Sequence, residues 1–89
     1  MAAQSDPGDD LVRAVGRRIV EIRRSAGLTQ ERAAEFLGIS VRAYAYLESG
    51  RENLTLRTMA SVAAVLGVQA ADLLVPPAST EIRRGRPRG

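Results

Sequence analysis

An all-α fold is predicted by two features of the sequence. Leu11, Val15, Ile19 and Ile22 recur every three or four residues, so they form one apolar stripe along a helix. The next three apolar stretches are each preceded by Ser or Thr, which can cap a helix, and followed by Gly, which can end one. With a last apolar stretch that ends before two prolines, these signals predict five helices.

The first helix is expected to begin at Asp9 or Asp10, whose carboxylates favour a helix N-terminus. Residues 1–8 before it are predicted to be a disordered acidic tail. Gly16 within the helix costs about 1 kcal/mol relative to Ala, which predicts that another helix approaches closely there. Gly27 is expected to end the chain's first helical segment in a left-handed conformation.

Two short helices follow, separated by a tight break over residues 38–40. The first is expected over about 30–37, between Thr29 and Gly38, and the second over about 41–49 after Ser40. The inward residues are predicted to be Ala33, Ala34 and Leu37 with Phe36 partly buried, then Tyr44, Leu47 and part of Ala43. This pattern predicts a helix-turn-helix whose second helix is free to enter a DNA groove.

The remaining apolar stretches predict two further helices. Thr55 is expected to cap a helix over about 56–66 that ends at Gly67. Its core-facing residues are predicted to be Leu56, Met59, Val62, Ala63 and Leu66. A fifth helix is expected over 70–74, because the two prolines at 76 and 77 forbid its continuation. The predicted domain is therefore 9–75, followed by a flexible basic tail over 76–89.

Composition excludes several classes of function. The chain has no Cys and no His, which excludes disulfides, thiolate chemistry, zinc sites and His-based acid–base catalysis. No apolar run approaches the roughly 20 residues of a membrane span. We therefore expect no enzyme activity, no cofactor or metal, no membrane contact and no evident small-molecule ligand. A cytoplasmic location is expected.

The formal net charge of +3 is unevenly distributed. Residues 1–10 carry three Asp and no basic residue, residues 11–79 carry nine Arg against six acids, and residues 80–89 carry four Arg against one Glu. All the basic residues are Arg, whose planar fork suits phosphates and guanine edges. A basic body and tail favour nucleic acid as a partner.

Several segments in order resemble the Cro/C1-type (Xre family) helix-turn-helix domains of bacterial and phage regulators. They are Ile22-Arg23, Gly27-Leu28-Thr29-Gln30, Leu37-Gly38-Ile39-Ser40, Leu47-Glu48-Ser49-Gly50-Arg51 and Val65-Leu66-Gly67-Val68. The resemblance extends from about Val15 to Leu74. It implies a compact five-helix, lambda-repressor-like domain that binds double-stranded DNA as a transcription regulator or repressor, nucleoid-associated in a bacterial cell.

The resemblance also implies roles for individual residues. Helix 3 would read the major groove, with base contacts from Val41, Arg42, Ala45 and Tyr46. Arg42 is the leading candidate, since its fork can bond guanine O6 and N7 together. An alternative is that Arg42 pairs with Glu35 or contacts a phosphate.

Contacts to the DNA backbone are expected from residues at the helix boundaries. The resemblance implies phosphate contacts by Gln30, Ser40, Ser49, Arg51 and Asn53. Arg23 and Glu48 are expected to form a structural ion pair between helices 1 and 3, outside the DNA contacts.

Two positions depart from the family pattern. Ala33 stands where relatives usually have Leu, and Tyr44 stands where they usually have Ile or Val. We expect the Tyr44 ring to fill the volume vacated at Ala33, since volume-conserving exchanges are tolerated.

The C-terminal tail contains Arg84-Gly85-Arg86-Pro87, which resembles the core of a minor-groove AT-hook. The alternative is a disordered basic tail that attracts phosphates without regard to sequence.

A homodimer formed through helices 4 and 5 is expected, because one module this small reads few base pairs. Candidate interface residues are Ala70, Leu73 and Leu74, together with Val65 or Val68. Alternatively, these residues close the core of the monomer. An antitoxin or another protein-interaction module on the same fold is the alternative function.

Overall fold

The computed structural model describes residues 6–51 and 53–78. These contain four α-helices, α1 (Pro7–Ser25), α2 (Gln30–Leu37), α3 (Val41–Glu48) and α4 (Leu56–Leu66). The predicted fifth helix, Ala70–Leu74, is a 3₁₀ helix and is called η1 here. The described residues contain no strand, which confirms the all-α class. Within them, no helix is both long and apolar enough to cross a membrane.

The start of α1 differs from the expectation. Asp6, and neither Asp9 nor Asp10, is the N-cap, and its Oδ1 accepts a hydrogen bond of 2.7 Å from the Gly8 N–H. Pro7 takes the first helical position, where its fixed φ is favourable and its missing N–H costs nothing. The helix therefore begins two residues before the predicted domain boundary, and Asp9 and Asp10 lie in its first turn.

The caps of the later helices are confirmed. The side-chain oxygens of Thr29, Ser40 and Thr55 each accept a hydrogen bond from the backbone N–H three residues later. Gly38 and Gly67 end α2 and α4 with φ values of 73° and 77°. A residue with a Cβ rarely adopts this left-handed conformation, so the two glycines fix where these helices stop.

One apolar core joins all the helices. Its buried members are Val15, Ile19, Ile22, Ala33, Ala34, Tyr44, Leu47, Met59, Val62, Ala63, Leu66 and Leu73. Tyr44 and Ala33 are both fully buried within this cluster. Both positions therefore belong to the core, and the exchange of volume between them stays a prediction.

Three residues expected to face inward are exposed. Phe36 lies on the outer face of α2, where the Arg32 guanidinium sits 5.3 Å from the centre of its ring. Ala43 is on the solvent side of α3. Leu56 is 82% exposed because it is the first residue of α4 and lies beyond the packed part of that helix. Leu54, in the preceding loop, packs against the core.

The close approach predicted at Gly16 is confirmed. A Cβ placed on Gly16 would lie 2.7 Å from the carbonyl oxygen of Glu48 and 3.1 Å from the Gly50 nitrogen. The first distance is too short for a real Cβ contact and the second is tight, and both involve backbone atoms, so glycine is needed for α1 to pass this close to the end of α3. This contact fixes how α3 is presented to solvent.

Candidate nucleic-acid interface

The outer face of α3 is open to solvent. Val41 and Tyr46 are 42% and 46% exposed, Arg42 is exposed, and Ala45 is half-buried. On the opposite side Tyr44, Leu47 and Glu48 are buried and anchor the helix to the domain. No other segment of the described chain covers the outer face, so it is available to a DNA groove.

Arg42 does not form the alternative ion pair with Glu35. Glu35 instead accepts from Arg32, whose Nη1 lies 3.1 Å from its Oε1. Among the described residues no hydrogen bond or ion pair engages the Arg42 side chain. Its guanidinium is therefore free to reach a base edge or a phosphate.

The expected ion pair between Arg23 and Glu48 is present and buried. Arg23 Nε lies 2.6 Å from Glu48 Oε2, and Nη2 lies 3.2 Å from Oε1. Arg23 Nη1 also donates to the Leu28 carbonyl at 2.8 Å. The hydrogen bond to Glu48 raises the pKa of the Arg23 guanidinium, which keeps this guanidinium charged.

Tyr44 lies beside this pair with its ring fully buried. Its hydroxyl oxygen is buried without a hydrogen-bond partner among the described residues. Burial raises the pKa of the Tyr44 hydroxyl well above its ordinary value, and the nearby Glu48 carboxylate raises it further. The phenol is therefore neutral over the whole physiological range.

Gln30 connects the ion pair to the N-terminus of α2. Its Nε2 donates to Glu48 Oε1 at 2.8 Å, and its side chain is half-buried. The sequence predicts a phosphate contact for Gln30 and a structural pair for Glu48, but it predicts no bond between the two residues. The two residues are 18 positions apart, so no local signal identifies the contact.

The two serines expected at phosphates differ in how their hydroxyls are used. Ser40 Oγ accepts from the Ala43 N–H at 3.0 Å, which leaves its own proton free to be donated. Ser49 Oγ donates to the Tyr46 carbonyl at 2.6 Å and also accepts from the Arg51 N–H at 3.3 Å. Ser49 must therefore give up an internal bond before it can donate to a phosphate.

Arg51 and Asn53 are exposed in the loop after α3. Together with Gly8 and Asp9 from the first turn of α1 they line a depression of about 270 Å³. From the sequence Asp9 is expected only as a helix cap, whereas in the fold it lines the same depression as Arg51 and Asn53.

The possible AT-hook, Arg84-Gly85-Arg86-Pro87, lies outside the described residues. Over residues 6–51 and 53–78, no group of acidic residues is arranged to hold a metal ion.

The residues expected at a dimer interface are divided between core and surface. Leu73 is fully buried and closes the core of the monomer, while Val65 and Val68 are half-buried against it. Leu74 is 51% exposed and lines an apolar groove of about 170 Å³ with Leu11, Leu54 and five other residues. An exposed apolar surface therefore lies where η1 meets the start of α1.

Comparison with known proteins finds similar helix-turn-helix regulators. The helix-turn-helix family model matches residues 19–73. The chain is 37% identical over 71 residues to the HTH-type transcriptional regulator y4dJ of Sinorhizobium fredii, covering 80% of this chain and 92% of that protein. It is also 37% identical over 59 residues to the SPbeta prophage-derived HTH-type regulator YonR of Bacillus subtilis, covering 66% of this chain and 55% of that protein.

Solved structures of regulators have the same fold. The clp gene regulator ClgR of C. glutamicum superposes with a TM-score of 0.72 at 31% identity, covering 79% of this chain and 91% of that one. The restriction-modification controller C.AhdI of Aeromonas hydrophila superposes with a TM-score of 0.65 at 31% identity, covering 72% of this chain and 96% of that one.

Proposed function

The chain belongs to the helix-turn-helix family of Cro/C1-type DNA-binding transcription regulators, and we propose that it recognises a specific double-stranded sequence through α3. The observation that carries the proposal is the outer face of α3, which is exposed at Val41, Arg42 and Tyr46 and anchored from behind by the buried Glu48. A rigid helix presented in this way fits the major groove.

Base contacts are assigned to Val41, Arg42, Ala45 and Tyr46. Arg42 would bond guanine, Val41 would touch a thymine methyl group, and the Tyr46 hydroxyl would reach a base or a phosphate. Ala45 offers only a methyl group, so sequence-dependent DNA shape contributes to specificity alongside hydrogen bonds.

Phosphate contacts are proposed for Gln30 and Ser40, which precede α3 in the chain, and for Ser49, Arg51 and Asn53, which follow it. The free hydroxyl proton of Ser40 and the exposed guanidinium of Arg51 support their part in this set. These groups would fix the register of α3 along the duplex without reading sequence. The tail segment Arg84-Gly85-Arg86-Pro87 would add contacts in an AT-rich minor groove.

A homodimer that binds two half-sites is proposed for the DNA complex. Exposed apolar side chains at Leu74 and Leu11 support an interface that includes the end of η1 and the start of α1. Repression through occupancy of a promoter, on the nucleoid within the bacterial cytoplasm, is the simplest action for such a dimer.

Selection of bound duplexes from a random DNA pool tests this proposal directly. We expect recovered sequences to share a short motif, repeated with two-fold symmetry at a spacing of about one helical turn. AT-rich flanks would support the tail contact. Recovery of no shared motif, together with co-purification of a protein partner, would instead favour the protein-interaction alternative.

A further inference from the structure

The hydrogen bond between Gln30 and Glu48 joins the start of α2 to the end of α3, the two helices of the helix-turn-helix. Gln30 is the first residue of α2, and Glu48 is the last residue of α3. Their side chains meet with Gln30 Nε2 2.8 Å from Glu48 Oε1. Resting on the proposed function, we propose that Glu48 is a positioning residue that holds the Gln30 amide in place for its contact with a DNA phosphate.

The geometry at Glu48 fixes the direction of the Gln30 amide. A carboxylate accepts hydrogen bonds and cannot donate them, so the nitrogen of the amide must face Glu48. The same carboxylate is held by Arg23 Nε at 2.6 Å and Nη2 at 3.2 Å, so it cannot turn away. One N–H of the amide is used by Glu48, and the second remains for a phosphate oxygen.

This arrangement lowers the entropic cost of binding DNA. A free glutamine side chain has three rotatable bonds and loses their freedom when it is fixed on a ligand. Half-burial and the bond to Glu48 already restrict Gln30 before DNA arrives. A contact organised in advance gives tighter binding than the same contact made by a mobile side chain.

A thermodynamic cycle in DNA binding tests the coupling. It compares the full-length wild-type chain, Gln30→Ala, the apolar replacement Arg23→Met/Glu48→Leu, and the triple variant, all on the duplex selected from the random pool. The apolar replacement removes the carboxylate without leaving Arg23 as an unpaired buried charge. We expect Gln30→Ala to weaken binding about tenfold in the wild-type chain and less than about threefold in the apolar background. An equal loss in both backgrounds would overturn the proposal.

The side-chain amide protons of Gln30 give a second measurement that needs neither DNA nor a variant. Their exchange with solvent in the free protein, followed by NMR, should be slower than that of the exposed Gln69. Equal exchange rates at the two residues would also overturn the proposal. Because this measurement is made without DNA, it separates failure of the positioning role from failure of the proposed function.

Discussion

Arg23 of α1 and Glu48 of α3 form a two-bond ion pair in the interior, with Nε 2.6 Å and Nη2 3.2 Å from the two carboxylate oxygens. Both side chains are less than one-tenth exposed. Since Glu48 is the last residue of α3, the pair fixes the end of the helix proposed to read DNA. Gly16 lets α1 approach close enough for the pair to form.

Removing one partner of this pair should destabilise the protein strongly. Glu48→Ala leaves the Arg23 guanidinium buried without its carboxylate, and we expect a loss of about 3–5 kcal/mol in the free energy of unfolding. Arg23→Met/Glu48→Leu removes both charges, and its loss should be much smaller. Urea denaturation of the two variants checks the difference. Equal losses would mean that packing volume, and not the charge pair, governs stability here.

Tyr44→Phe tests the unpaired hydroxyl. Because a buried polar group without a partner costs about 1–3 kcal/mol, the variant should be as stable as the wild-type protein or more stable at pH 7. Urea denaturation measures the change. A clear loss of stability would show that the hydroxyl makes a favourable contact, most simply with Glu48.

The same residue predicts how stability depends on alkaline pH. The pKa of Tyr44 is raised in the folded state, so the unfolded chain releases the phenolic proton first as pH rises. The protonated phenol contributes its full share of the free energy of unfolding at pH values below the pKa of the unfolded chain, about 10. That contribution is lost progressively as the pH rises from this value to the higher pKa of the folded state. The free energy of unfolding should fall less steeply above pH 10 in Tyr44→Phe than in the wild-type protein. Parallel curves would contradict this.

A comparison of two glycines tests the packing of α1 against α3. Gly50 and Gly38 have similar positive φ values, 79° and 73°. A Cβ on Gly50 would lie 2.9 Å from the Arg13 Cα, while a Cβ on Gly38 meets nothing within 4 Å. Gly38→Ala should therefore cost about 1–2 kcal/mol from backbone strain alone, and Gly50→Ala should cost more. Thermal unfolding of both variants measures the two losses of stability. Similar losses would indicate that the backbone at Arg13 shifts easily to make room for the added Cβ.

Local signals were sufficient to predict much of this fold. The bounds of α2 and α4 follow from Thr29 and Gly38, and from Thr55 and Gly67, because capping depends on residues a few positions apart. The prediction that Leu56 is buried is wrong, because periodicity gives the direction of a side chain but not how far neighbouring helices extend to cover it.

The site was less predictable than the helices. Candidate positions on α3 could be named from the family resemblance, and the exposure of Arg42 is compatible with its assignment. The internal hydrogen bonds of Gln30 and Ser49 were missed. The contact of Gln30 depends on how α1, α2 and α3 pack together, and that of Ser49 on the local rotamer at the end of α3. Neither is encoded in a short sequence pattern.

The exposed apolar groove beside η1 predicts which substitution would break the proposed dimer. Leu74→Glu places a charge at the edge of that groove, whereas Phe36→Glu places one on the outer face of α2. Sedimentation at micromolar concentration should show a monomer for Leu74→Glu and a dimer for the wild-type chain and Phe36→Glu. A wild-type monomer, with and without the selected duplex, would rule out the dimer.

The two exposed arginines at either end of α3 should differ in what they contribute to DNA binding. Arg42→Ala should cost about 1–3 kcal/mol on the selected duplex and relax the preference at one base pair, because it removes a fork to guanine. Arg51→Ala should lower the affinity for all duplexes alike, because it removes a phosphate contact. It should also reduce the slope of log affinity against log salt concentration by about one. Titrations of both variants on the selected and an unrelated duplex, at several salt concentrations, separate the two roles. If Arg42→Ala instead lowered affinity equally for both duplexes, Arg42 would contact the DNA backbone and not a base. Sequence specificity would then depend on Val41, Tyr46 and DNA shape.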